Sequence, residues 1–130
     1  MIPKRKPASQ QAQARYEADT ALAEQFGELL EQAVTAEQAL RDAQARRADL
    51  RELRPLAKDF DAALTAAMRA AYASQRAAIG PRGYDDRIYR RKAMATAPVK
   101  AWTREADRLL TLRESHRLTG LVRLPRVPAA

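Results

Sequence analysis

The chain has 130 residues and is 46% hydrophobic, but 29 of them are Ala, so much of that content is helix-forming filler rather than core volume. It has no Cys, which excludes disulfides and thiolate chemistry, and no uncharged run approaches the ~20 residues of a membrane-spanning helix. The net charge of +8 is unevenly placed: residues 16–40 carry six acids and no Lys or Arg, whereas residues 80–130 carry twelve bases and five acids. These features predict an all-α, elongated fold: a long kinked, coiled-coil-like helical arm, one or two shorter helices, and extended basic termini. The excess of Arg and Ala also matches a GC-rich genome.

Residues 1–8 read as a basic extended arm, because Pro3 and Pro7 push the residues before them out of the helical region. Lys4, Arg5 and Lys6 form a charge cluster suited to nucleic acid or an acidic protein face. Ser9 is an N-cap candidate, and residues 9–79 are expected to form one long helical arm. From Glu17 to Arg54 there is no Pro, and apolar residues recur at alternating steps of four and three. Leu22, Phe26, Leu29, Leu40 and Leu50, with Ala33, Ala36 and Ala43 between them, fall on one seam for a partner helix. A helix over that stretch would be roughly 57 Å long, against about 36 Å for a compact globule of this chain length. The rod is therefore expected to need a partner. Its acids Glu17, Glu24, Glu28, Glu31 and Glu37 form a candidate acidic docking face. At Pro55 the stripe shifts by about one residue, to Leu53, Leu56, Phe60 and Leu64, which predicts a kink there rather than a hairpin.

Gly80 and Pro81 end the arm, and residues 80–120 form a basic helical region. Asp85 is the expected N-cap of a helix reaching Ala95, and Thr96 with Pro98 opens the last helix, which ends at Thr119 and Gly120. Residues 121–130, with Pro125 and Pro128, read as an extended tail. Within this region Arg82, Arg87, Arg90, Arg91, Lys92 and Lys100 are interleaved with Tyr84, Tyr89 and Trp102. Arginines neutralise phosphates and aromatic rings stack on bases, so the pattern suits nucleic acid. The favoured reading is that these bases pair with acids of a protein partner or are merely solvated, with Trp102 in the core beside Val99 and Ala106.

Candidates for catalysis are few. His116 is the only histidine, so a zinc site of nitrogen and sulfur ligands cannot be built in one chain. Glu24, Glu28 and Glu31 lie at helical spacings but lack the Glu-x-x-His partners of a di-iron bundle. The glycines are scattered, and Ser9, Ser74 and Ser115 have no histidine at a motif distance. The expectation is a protein that is not an enzyme and uses no cofactor. It reads as a structural subunit present in several copies and docking other protein subunits of a large assembly. A phage virion component, in the head-tail joint, the tail or the interior, fits best. The alternatives are a nucleic-acid-binding oligomer using residues 82–104 and an organellar ribosome or respiratory accessory subunit. Virion or cytoplasm is the expected location, with the mitochondrion as the alternative suggested by the acid-free, basic residues 1–16.

Overall fold

The computed structural model describes residues 7–119, and every regular element among them is helical. The helices are α1 (Gln10–Glu24), α2 (Phe26–Ala45), α3 (Leu50–Ile79), α4 (Arg87–Ala93) and α5 (Ala97–Thr119), with a short 3₁₀ turn at Pro81–Tyr84 between α3 and α4. The arm at Lys4, Arg5 and Lys6 and the tail at 121–130 lie outside the described residues. The chain divides into two compact units. One contains the residues up to Phe26 with Ala70–Ala106, and the other contains Gly27–Arg69 with the residues from Asp107 onward.

The second unit is built on a helical hairpin: the chain reverses at residues 46–49, and α3 runs through Pro55 without a break. Arg47 adopts the left-handed conformation at φ 57°, the one non-glycine with positive φ among the described residues. The amide of Ala48 donates to the Ala43 carbonyl at 3.0 Å and that of Arg47 to Gln44 at 3.1 Å, which closes the end of α2 as a Schellman motif. Asp49 then caps α3, its carboxylate accepting the Glu52 amide at 3.1 Å, while the Arg46 guanidinium grips the Glu52 carboxylate across the turn. The shift of stripe is thus the signature of two facing helices, and Pro55 sits exposed inside α3.

This reversal also changes what the seam does. Leu40, Ala33 and Ala43 of α2 are buried with Leu53, Ala57, Phe60 and Leu64 of α3 and Leu109 of α5, so the unit fills its own core. Leu29 is half-buried, and Leu50, expected on the seam, is 49% exposed because it falls at the first residue of α3. The end of α5 is fixed to α3 by His116, whose ring meets Phe60 edge-on with centroids 4.8 Å apart. Its Nε2 lies 3.1 Å from the Ala57 carbonyl, and because a carbonyl can only accept, that nitrogen carries the proton. Arg117 forks onto Asp61 at 2.8 and 3.1 Å.

The first unit has a smaller-grained core. Ala70, Ala71 and Ala73 of α3 and Ala106 of α5 are fully buried, with Ala12 of α1 and Val99 of α5 nearly so. Ser74, also buried, returns its hydroxyl to the Ala70 carbonyl at 2.8 Å, leaving no orphan donor. Phe26 meets Trp102 edge-on at 5.1 Å, so both aromatics pack internally, as does half-buried Leu22. Ser9 caps α1 by accepting the Ala12 amide at 3.0 Å. Its own amide and hydroxyl donate to Asp85 at 2.7 and 3.0 Å, so Asp85 ties down the start of α1, and the N-cap of α4 is its neighbour Asp86.

Candidate functional site

In the first unit, Asp19 of α1 receives two hydrogen bonds from the Arg76 guanidinium of α3, at 2.8 and 3.0 Å, and a third from the Tyr84 hydroxyl. Arg15 lies over the Tyr84 ring, 5.4 Å from its centroid. Burial pushes the Asp19 carboxyl upward, but Arg76 and Tyr84 outweigh it and hold the group below the usual carboxylate range. Burial, and then the Asp19 carboxylate, push the Tyr84 hydroxyl well above its ordinary value. Asp19 looked like one of six equivalent acids in the sequence. Only the fold brings Arg76, 57 residues away, against it.

This network anchors the segment that carries α4. The chain leaves α3 through Gly80, at φ 98°, a conformation that L side chains rarely adopt. Gly83 follows in the 3₁₀ turn, where any Cβ would collide with the Ile79 side chain. Its carbonyl accepts a hydrogen bond from Arg90 at 3.0 Å. Asp86 caps α4 by accepting the Tyr89 amide at 2.9 Å, a bond that lowers its own pKa, and Arg82 pairs with it at 3.2 Å. The Arg82 guanidinium also lies 4.8 Å from the centre of the Tyr89 ring.

So supported, α4 stands on the surface with none of its seven residues buried. Ile88 is 70% exposed at its crest, and Arg87, Arg91 and Lys92 are exposed around it. Along one side runs a groove of about 810 Å³, with Arg76 and Ile79 of α3 facing Arg87, Arg90, Arg91 and Met94. On the other side a groove of about 420 Å³ is lined by Arg82, Tyr89, Lys92 and Thr96. Of the basic residues expected to form one contact surface, Arg87, Arg90 and Arg91 line the first groove and Arg82 and Lys92 the second. Lys100 lies exposed on α5, outside both grooves.

The aromatics of the same stretch do not form a stacking platform. Tyr84 is committed to Asp19, Tyr89 to Arg82 and Trp102 to Phe26. Of the acids, Glu37 is paired with Arg41 one turn on at 2.8 Å, and Glu17 accepts a long hydrogen bond from Gln13. Glu24, Glu28 and Glu31 are exposed. No group of three His, Asp or Glu among the described residues is arranged to hold a metal ion, and no helix there is long and apolar enough to cross a membrane. No family model, curated protein or solved structure matches the chain.

Proposed function

We propose that this chain is a non-enzymatic assembly subunit that docks an acidic protein segment along α4. One observation carries the reading: a seven-residue helix that buries none of its side chains is nevertheless held in place by a cap, a cation-π contact and a Gly-bearing turn. A helix this short gains little stability from propensity alone, and a free cationic surface does not require such support. What the support provides is a fixed presentation of Ile88 between arginines, an apolar anchor with a basic rim, the arrangement of a protein interface. A nucleic-acid contact is less favoured because Tyr84, Tyr89 and Trp102 are already engaged within the chain. The setting we propose is a large multi-subunit assembly, with a phage virion as the context that small size, absence of Cys and the Ala and Arg bias fit best.

Fluorescence anisotropy tests this with three labelled probes: an acidic amphipathic helical peptide, a single-stranded DNA and a duplex. The peptide should bind, and Ile88→Asp should weaken it at least tenfold, about 1.4 kcal/mol. Tighter binding of either DNA, with a salt dependence that Arg87→Ala and Arg91→Ala reduce, would overturn the reading in favour of a phosphate contact.

A further inference from the structure

We propose, building on the docking role assigned to α4, that its occupant is a second copy of this chain, engaged through the groove between α2 and α3. That groove, of about 550 Å³, is lined by Glu28, Glu31, Ala36 and Ala39 of α2 and by Leu56 and Asp59 of α3. Glu28, Glu31 and Asp59 are exposed and form no ion pair among the described residues. The same holds for Arg87, Arg91 and Lys92 on α4. Between two docked copies, three acids would thus meet three bases.

The match extends to spacing and shape. Arg87 and Arg91 are one helical turn apart and Glu28 and Glu31 three residues apart, so the Cβ atoms of each pair are about 5–6 Å from one another. Ile88, beside Arg87, is the apolar crest of the cationic helix. Ala36 and Ala39 leave room beside Leu56 for such a side chain, where a larger residue would close the groove. Removing Ile88 from water against Leu56 would recover the burial that α4 lacks within its own chain. Ridge and groove are different surfaces, so the contact either pairs two copies reciprocally about a two-fold axis or repeats head to tail as a ring or filament. That outcome accounts for a small chain that carries complementary charge in separate stretches of sequence.

Sedimentation velocity on the full chain over a concentration series tests the proposal. The sedimentation coefficient should rise with concentration and fall back as salt is added. Arg87→Glu with Arg91→Glu, and separately Glu28→Arg with Glu31→Arg, should each weaken self-association on the order of a hundredfold, since each sets like charges face to face. Mixing the two variants should restore assembly, because the acidic ridge of one then meets the basic groove of the other. None of the four residues is buried, and circular dichroism checks that helicity is kept. Should a charge variant fold poorly, Ile88→Asp is the second probe and should also give monomers. A wild-type chain that stays monomeric at every concentration, or a mixture that fails to reassemble, overturns self-docking. If that monomer still binds the acidic peptide, the docking role of α4 survives; loss of both removes it too.

Discussion

The two units solve the same problem with different materials. In the second, large side chains fill the interior: Leu40, Leu53, Phe60, Leu64, Met68 and Leu109 are all buried. In the first, the buried hydrophobic residues are mostly alanines, with Ile79 and Val99 the larger ones. An alanine interior brings helices close but removes little apolar area per residue from water, at roughly 25 cal/mol per Å². The first unit adds part-buried polar bonds, Asp19 to Arg76 and Tyr84, and Gln75 to Thr103 at 2.7 Å. Two ion pairs of the second unit, Arg46–Glu52 and Arg117–Asp61, are more open to solvent, where such pairs contribute little. One unit therefore depends on volume, and the other on directional contacts that respond to pH.

The largest expected effect tests the volume half of that contrast. Phe60→Ala removes the ring that packs against His116 and leaves a cavity, at a cost of about 3–5 kcal/mol in urea unfolding. Cutting Val99 of the first unit back to Ala should cost less, because fewer atoms are lost. Equal costs would mean that the alanine-rich interior is no weaker per residue, and the contrast would fail.

Asp19→Ala tests the directional half and should cost about 2–3 kcal/mol, since it strips Arg76 and Tyr84 of their shared acceptor. The same network predicts two pH limits. The Asp19 carboxyl lies lower in the folded chain than in the unfolded one, so its contribution is present above the unfolded value, about 4, and is lost as pH falls through the folded value. The Tyr84 hydroxyl is raised, so its contribution is present below about 10 and is lost as pH climbs towards the folded value. Asp61 is also lowered, chiefly by its bond to Arg117, but that pair is more open to solvent. Hydrogen-exchange protection, taken relative to the intrinsic rate at each pH, should therefore fall in α1 before the α2–α3 hairpin as the solution is acidified. Simultaneous loss of protection would show that Asp19 does not set the acid limit. In Asp19→Asn the acid-side dependence of α1 should largely disappear, while the part set by Asp61 remains.

What could be read from the sequence follows from the range of the interactions. Helical class, the Ser9 cap and the stop at Gly80 are local, decided by propensity and by backbone groups within one turn, and the residue pattern carries them. The basic stretch at 82–92 was also visible as composition. The partners of its aromatics were not, because Tyr84 depends on Asp19, 65 residues away. The seam was visible too, but its use was misassigned. Leucines at steps of three and four mark a buried face without saying whether the covering helix belongs to the same chain. The hairpin decides that, and its signal was incomplete: Asp49 and Glu52 have the spacing of a capping box, yet no Gly marks the end of α2.

That missing Gly leads to the smallest effect, in the turn that gives the second unit its fold. Arg47 holds the position after a helix end where Gly is usual, in a left-handed conformation that costs an L residue roughly 1–2 kcal/mol. Arg47→Gly removes that cost but enlarges the unfolded ensemble, which takes back about 0.4–1 kcal/mol. The net expectation is a gain of about 0.5–1 kcal/mol in urea unfolding. Arg47→Ala keeps the penalty and loses only an exposed side chain, so it should leave stability nearly unchanged. The difference between the two variants isolates the backbone. If Gly is no better than Ala, residues 46–49 are not held as a left-handed turn, and the chain reversal that separates α2 from α3 must have another origin. If Gly is better, the turn is formed in spite of its sequence, because the buried faces on either side of it dictate the reversal.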